Sequence, residues 1–400
     1  MLNFNDIHTV ETMTIHISQR HVLQHDKWLL SCLTCIPLLL ALIIWGVFSS
    51  GIARDLPMGI VDLQHSQLSR QLTQTLDASS ALDVRYAYAD ASEAKNAMIN
   101  GKIYAYAVIP PRFDQDILQH RQPQLSVFYN SQYILVAKLI NSAVVQAQGY
   151  FDAQLEVMNR LAKGNTTALS AIGNTVAVST QVTALFNQNN NYAQFLVTAI
   201  VPAIWQICIV VSTILVLAAN FRIYGHKNGF EFLGNQPYAR TFMILGQYIP
   251  VFMVQGALYL YWFYGLLDWP MAGSFLVLVL AQLATVIACI IMGALFFFLT
   301  MDPARAMSFA GAFTAPSFAF MGITFPVSDM NTLAMLWRSF LPISHYIEIQ
   351  VEQANYGAQI AQSLSHLWPM SAYIVPLLTT VALMGKHRSA THKRQHEEIA

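Results

Sequence analysis

Charged side chains are scarce in this sequence. Lys, Arg, Asp and Glu together make up 10% of the 400 residues, whereas hydrophobic residues make up 55%. Soluble domains usually carry about 25% charged residues, so the composition excludes an ordinary soluble globular protein. The 21 basic and 21 acidic residues cancel, and no basic run interleaves with aromatic side chains, which argues against nucleic acid as a partner.

Two further absences narrow the chemistry. The sequence contains no GxxxxGK[ST] phosphate loop, so this chain cannot itself be a P-loop ATPase. The four cysteines all lie in apolar stretches, and the polar part of the chain is therefore predicted to have no disulfide. Cys32 and Cys35 form a CxxC, but in a lipid-facing helix they are better explained as small apolar thiols than as a redox or metal site.

Stretches without any charge predict membrane crossings. One charge near the bilayer centre costs at least ~2.5 kcal/mol, and about 20 helical residues span a ~30 Å hydrocarbon core. The first stretch is too long for the apolar part of a cleaved signal peptide and is predicted to remain as an anchor. The six predicted transmembrane helices are Trp28–Phe48, Phe195–Ala219, Thr241–Tyr264, Gly273–Leu299, Met307–Phe325 and Pro369–Gly385.

Basic residues in the short loops predict the orientation. The short loop Gly265–Ala272 has no Lys or Arg, and Pro326–Trp368 has only Arg338. Both termini are therefore predicted to be cytoplasmic, and residues 49–194 to lie outside. The Lys and Arg residues that face the cytoplasm in this arrangement lie in residues 1–27, the loop 220–240, the loop containing Arg305, and the tail 386–400.

The long interval after the first span has the pattern of a small α/β domain followed by a long helix. Apolar residues recur at a helical period over Ser131–Arg160, which predicts a long amphipathic helix, and Thr175–Phe186 is predicted to return toward the membrane as a helix. The preceding order is β-α-β-α-β-β. Its predicted strands are Pro57–Asp62, Asp83–Tyr88, Ile103–Pro110 and Leu125–Asn130, and its helices are Ser66–Leu76 and Ser92–Ile99.

This interval shows no catalytic or metal-site pattern. Its two histidines, His65 and His120, and the acids Asp62, Asp114 and Asp116 lack the close spacing of metal ligands. A binding or docking role is therefore favoured over catalysis, and no metal or cofactor is predicted.

Several motifs resemble one family, the ABC-2 type export permeases that carry a large external domain after the first helix. The loop after the second span contains Glu231, Leu233 and Pro237 at the spacing of the family's Gly-Thr-x-Glu-x-Leu motif and its following proline, with Asn228-Gly229 in the Gly-Thr position. Further similar stretches, in the family's order, are Ile60–Asp62 with Ser66, Ala94–Ile99 with Gly101, Ala107–Pro110 with Phe113, Gly322–Pro326 and Leu341–Tyr346.

The resemblance implies a membrane subunit that pairs with a second permease subunit, identical or different, and is driven by a separate cytoplasmic ATP-binding subunit. It also implies a bacterial inner-membrane location and, in some relatives, a periplasmic adaptor with an outer-membrane channel. Phe230, Glu231, Phe232, Leu233 and Pro237 are the residues expected to couple to the ATPase. On the sequence alone, the same amphipathic loop could instead be an interfacial anchor.

By the same analogy, the second and fifth helices line the transport path. The residues predicted to face it are Gln206, Phe313, Ser317 and Phe320, which would suit a hydrophobic or amphipathic substrate, although packing against lipid explains them equally well. Because proline lacks an amide donor, the residues Gly322, Pro326 and Pro342 predict that the fifth helix breaks into a re-entrant segment.

Two other classes of function stay open. A membrane hydrolase needs a nucleophile and a base, and Ser344-His345 is an adjacent Ser/His pair near the interface, although adjacent residues point apart on a helix. A membrane-anchored sensor or scaffold whose external domain binds a ligand is the other alternative. No ionisable residue lies within the six spans, so energy from outside the membrane, and hence ATP-driven export, is favoured over ion-coupled transport.

Overall fold

The structure is a computed structural model. It describes residues 19–49, 51, 53–119, 121, 123–162, 186–187, 191–224 and 236–399. The chain divides into two compact units, one made of Met1–Gly51 with Ala184–Ala400 and the other of Ile52–Thr183. The predicted return helix Thr175–Phe186 lies outside the described residues, apart from Phe186.

Helices dominate both units, and a single small sheet lies in the second. The strands are β1 (Leu56–Asp62), β2 (Leu82–Ala87), β3 (Ala105–Ile109) and β4 (Ser126–Tyr129). The helices are α1 (Gln19–His25), α2 (Lys27–Leu33), α3 (Cys35–Phe48), α4 (Gln67–Asp77), α5 (Ala91–Ile99), α6 (Phe113–Leu118), α7 (Ile134–Ala162), α8 (Tyr192–Tyr224), α9 (Pro237–Gly246), α10 (Ile249–Tyr261), α11 (Phe275–Thr300), α12 (Pro303–Thr314), α13 (Ser317–Phe320), α14 (Thr332–Ser339), α15 (Pro342–Val351), α16 (Ile360–Ser365) and α17 (Ile374–Ile399). Short π-helical turns follow α10 (Trp262–Leu266) and α15 (Glu352–Tyr356), and 3₁₀ turns lie at Val327–Asp329 and Trp368–Tyr373.

The first unit is that of a helical membrane protein. Among the described residues, four stretches are long and apolar enough to cross a bilayer, and α2 with α3 makes a fifth if this pair, bent by 46°, is one span. The four stretches are Tyr192–Ile223, Pro237–Leu266, Phe275–Thr300 and Ile360–Lys386.

The predicted fifth crossing, Met307–Phe325, is not one helix. It consists of α12 and the short α13, which are separated at Ala315 and Pro316. Proline has no amide hydrogen, and its ring clashes with the carbonyl of the preceding turn, so the helix stops there. The predicted crossing is therefore divided at Pro316, which interrupts an otherwise apolar stretch without charge.

A proline also explains the bend between α2 and α3, and a distant glutamine compensates for it. Pro37 cannot donate a hydrogen bond to the carbonyl of Leu33, which lies four residues earlier. The Nε2 of Gln255, on α10, donates to that carbonyl at 2.6 Å. Because the bilayer core offers no water, an orphaned carbonyl there costs several kcal/mol, so Gln255 joins the first span to the third.

The same arrangement recurs in α8. Pro202 lies inside this helix and leaves the carbonyl of Thr198 without its usual donor. The Nε2 of Gln350, on α15, donates to that carbonyl at 2.9 Å. Gln255 and Gln350 are 4% and 3% exposed, so neither bond competes with water.

The second unit is an α/β fold whose core lies beneath α7. The strand order is β2-β1-β3-β4, with β1 parallel to both of its neighbours and β4 antiparallel to β3. Leu72, Leu76, Ile140, Val144 and Phe151 bring α4 and α7 into one buried cluster with the sheet. The four strands and the long helix confirm the sequence predictions, whereas α6 was not predicted.

Helix ends in this unit follow local polar side chains. The carboxylate of Asp90, rather than the hydroxyl of Ser92, caps α5 by accepting from the Glu93 amide at 2.8 Å. Asn100 ends the helix, and Gly101 follows with φ of 71°, as the Asn-Gly pair predicts.

Q255L tests the glutamine bond at the bend. We expect the full chain in detergent to lose about 1–3 kcal/mol of unfolding free energy, seen as a lower melting temperature, because the Leu33 carbonyl loses its donor. Q247L is the matched control, since Gln247 is exposed and donates only to the nearby Met243 carbonyl. In a Pro37→Ala background the new amide at position 37 can donate to the Leu33 carbonyl, so Q255L should lower the unfolding free energy less there than in the unmodified chain. An equal loss in both backgrounds would contradict the assignment of Gln255 as the substitute donor for Pro37.

Asp62 gives the α/β unit an acid-sensitive turn. Its carboxylate accepts from the Gln64 and His65 amides at 3.0 Å each and from Ser69 Oγ at 2.7 Å. Burial alone raises the pKa of Asp62, but these hydrogen bonds outweigh it and lower the pKa below the ordinary value.

The stabilisation from Asp62 is therefore complete above the ordinary carboxyl pKa and disappears as the pH falls through the lowered folded value. For Asp62→Asn we expect the opening free energy of the β1 and α4 amides at pH 7 to fall by about 1–3 kcal/mol. This is measured by hydrogen exchange on the full chain. Asp55→Asn, at an exposed carboxylate of the same unit, should change neither segment. Equal protection in the two variants would show that the Asp62 bonds do not stabilise the turn.

Candidate transport site and coupling elements

The predicted coupling loop is described only at its two ends. Phe230, Glu231, Phe232 and Leu233 lie outside the described residues. Pro237 is the first residue of α9, where a missing amide hydrogen is tolerated, and it is buried.

The helix α1, which the sequence analysis did not single out, contacts the start of this loop. The side chains of Gln19 and Asn220 exchange two hydrogen bonds, of 3.0 and 3.1 Å, and Tyr248 Oη donates to Gln19 Oε1 at 2.9 Å. Arg222 also forms an ion pair with Asp26 at 2.7 Å. Gln19 and Asn220 are buried, so α1, the end of α8 and the beginning of α10 form one hydrogen-bonded group beside the loop.

The two polar residues among the four predicted path residues form hydrogen bonds with the backbone of the chain. Gln206 is fully buried, and its Oε1 accepts from the Ile343 amide at 3.0 Å, which satisfies an otherwise unpaired donor in the first turn of α15. Ser317 is also fully buried and donates to the Thr314 carbonyl at 2.5 Å, across the break between α12 and α13.

The two aromatic path residues belong to one hydrophobic cluster. Phe313 and Phe320 are partly buried and pack against buried residues that include Ala203, Leu341 and Ile343. Phe313 also contacts the edge of Phe296, with ring centroids 5.6 Å apart. The structure therefore brings α8, the broken helix and α15 together at one place.

Several buried polar atoms of α8 and α15 have no hydrogen-bond partner within the described part of the chain. They include Trp205 Nε1 and Gln206 Nε2 on α8, and Ser344 Oγ and Gln350 Oε1 on α15. The neighbouring His345 therefore forms no hydrogen bond with Ser344 Oγ, and its Nε2 lies 3.1 Å from the Ser339 carbonyl. The Ser344-His345 pair is therefore not arranged as a nucleophile with its base.

The predicted helix-breaking residues each lie at a change of chain direction. Gly322 adopts φ of 86°, a conformation that favours glycine, and a Cβ at this position would come within 2.7 Å of Val327. Pro326 precedes the 3₁₀ turn Val327–Asp329, and Pro342 is the first residue of α15.

A charged cluster joins α14, α15 and α16. Arg338 Nη2 contacts Glu348 Oε2 at 2.9 Å, and His366 lies between two carboxylates, 3.5 Å from Glu348 and 3.0 Å from Glu352. Ser363 Oγ donates to Glu352 at 2.7 Å. The i, i+4 spacing of the two glutamates identified their shared face, but only the fold shows what faces them.

The hydrogen bonds of this cluster change the acidity of Glu352. Burial by itself raises the pKa of Glu352, but the bonds from Ser363, His366 and Gln362 outweigh it and lower the pKa below its ordinary value. The Arg338 side chain is 12% exposed, and a buried charge left without its partner is strongly destabilising. The cluster therefore fixes three short helices to one another.

We expect Glu352→Gln to lower the opening free energy of α15 and α16 by about 1–3 kcal/mol at pH 7, because the charged acceptor for His366 is lost. The change is measured as faster hydrogen exchange in these two helices. In the unmodified chain this stabilisation is complete above the ordinary Glu pKa and disappears as the pH falls through the lowered folded value. Asp329→Asn, which removes an exposed charge in the same segment, is the control. Equal exchange in both variants would contradict a structural role for the cluster.

Comparison with known proteins identifies the family. The family model described as ABC-2 family transporter protein matches residues 27–383. No curated protein and no solved structure matches the chain significantly. The matched region covers the α/β unit and all candidate spans except the last three residues of Ile360–Lys386, and the chain therefore belongs to the ABC-2 family of transporter proteins.

Proposed function

We propose that this chain is the membrane-spanning permease subunit of an ATP-driven export system and that it moves a hydrophobic or amphipathic substrate out of the cytoplasm or the inner membrane. Its membership of the ABC-2 family is the observation that carries this proposal. A separate ATP-binding subunit supplies the energy, because the sequence contains no phosphate-binding loop.

The distribution of charge supports an outside energy source and the proposed orientation. Four of the five candidate spans hold one Lys or Arg each, near one end, namely Lys27, Arg222, Arg240 and Lys386, and Phe275–Thr300 holds none. All four lie on the side that the positive-inside rule assigns to the cytoplasm. A proton- or ion-coupled carrier would need ionisable groups along its path.

We infer that six crossings form the membrane domain, with the broken α12–α13 pair as the fifth, and that both termini are cytoplasmic. The α/β unit is then periplasmic, and the chain is an inner-membrane protein. Two permease subunits, identical or different, complete the transporter, and a periplasmic adaptor with an outer-membrane channel is a further partner of this arrangement.

The path is proposed to run beside α8, α12 and α13, near Gln206, Phe313, Ser317 and Phe320. The unpaired atoms Trp205 Nε1 and Ser344 Oγ support this position. Buried polar groups without partners are unfavourable at rest, and they become useful contacts for polar parts of an amphipathic substrate when α8 and α15 separate.

Copurification tests the coupling to an ATPase. The tagged full chain is isolated from its native membranes, and retained ATP hydrolysis and subunits are measured. We expect an ATP-hydrolysing subunit with the unmodified chain, and a loss of at least tenfold with Glu231→Arg or Leu233→Asp, because these changes place charge at the proposed contact. Glu93→Arg, on the exposed surface of α5, is the control and should retain the partner.

The export hypothesis fails if no ATP-hydrolysing subunit copurifies with the unmodified chain. It fails equally if the two loop variants retain the partner as well as Glu93→Arg does. Either result would favour a membrane-anchored sensor or scaffold.

A further inference from the structure

A cleft opens in the α/β unit between α4, α6 and α7. Its volume is about 520 Å³, within the range of roughly 300–1,000 Å³ that is usual for sites of small organic ligands. Leu72, Phe113 and Phe151 line it and are 2–3% exposed. The rings of the two phenylalanines stack with centroids 6.2 Å apart and are almost fully buried. The apolar lining that a ligand can reach consists of the half-buried Ile117, Pro123, Leu125 and Leu155.

Acidic side chains also line this cleft. Asp152 and Glu156 are one turn apart on α7 and therefore lie on the same face of the helix. Among the described residues that line the cleft, Arg121 is the basic one, and it lies 3.9 Å from Asp116. The charge of Arg121 is thus offset by a neighbouring carboxylate, which disfavours an anionic ligand.

Asp152 is the group in this cleft that lacks a partner. Among the described residues it has no hydrogen bond and no ion pair. Asp152 is an exposed residue that lines the cleft, and partial desolvation raises the pKa of its carboxyl group. A bound cation would offset this cost of holding the carboxylate charge.

We propose that the cleft binds an organic cation with an apolar body. The body packs against the half-buried side chains of Ile117, Leu125 and Leu155, and the cationic centre lies near Asp152. Binding here requires neither an ATPase nor transport, and it stands or falls separately from the export function proposed above.

Two probes of nearly equal shape and opposite charge test this site. Tetraphenylphosphonium is an apolar cation, and tetraphenylborate is the corresponding anion. Each is equilibrated by dialysis with the purified full chain in detergent, and retention is compared between variants so that partition into the micelle cancels. We expect the unmodified chain to hold the cation more tightly than the anion.

Asp152→Asn should weaken binding of tetraphenylphosphonium about tenfold, an effect in the range of a partly desolvated ion pair. Asp152→Lys should weaken it further and increase binding of tetraphenylborate. Asp55→Asn is the matched control, because Asp55 is an exposed carboxylate of the same unit with φ of 51°, a conformation that asparagine tolerates. It should bind both probes as the unmodified chain does.

Gln148→Trp supplies a second test that depends on space rather than charge. Gln148 is exposed and lines the cleft, so a tryptophan there should obstruct the cleft without disturbing the core, and binding of the cation should fall severalfold at an unchanged melting temperature. The proposal is overturned if Asp152→Asn binds the cation as tightly as Asp55→Asn does, or if Gln148→Trp leaves binding unchanged. It is also overturned if the unmodified chain holds both probes equally.

Discussion

The structure of the membrane unit depends on one constraint: a backbone amide or carbonyl in the bilayer core has no water to bond. Pro37 and Pro202 each remove a helical donor, and Gln255 and Gln350 satisfy the two freed carbonyls from other helices. Gln206 serves the first turn of α15 in the same way. Each bend is therefore also a connection, and the helices cannot separate at these points without exposing an unpaired backbone group.

This constraint explains why the polar residues of the spans are uncharged. A glutamine side chain can donate and accept without the desolvation cost of an ion, and it can therefore join helices inside the bilayer. Charges are found where water is nearer, at the ends of the spans and in the cluster of Arg338, Glu348, Glu352 and His366, which fixes α14, α15 and α16. Uncharged hydrogen bonds therefore link the helices of the spans, and ion pairs link α14, α15 and α16.

Much of this architecture could be predicted from local signals. The lack of charge identified the apolar spans, and residues such as those of Pro57–Asp62 predicted strands that the structure contains. Composition was least informative where one residue interrupts an apolar stretch. Pro316 divides the fifth stretch into α12 and α13. Local signals also missed partners distant in sequence, because no spacing relates Gln19 to Asn220 or Gln71 to Gln154.

The sequence by itself determined which segments are apolar enough to lie in a bilayer, since the cost of burying charge there depends on the residues that each segment contains. It also determined the family, through motifs that a family match over residues 27–383 supports. Only the tertiary structure decided what each polar side chain does. It showed that Gln206 accepts a hydrogen bond from the first turn of α15 and that Glu348 and Glu352 belong to an ion-paired cluster. It also placed Asp152 in the lining of a cleft. These arrangements depend on distances between residues far apart in the chain.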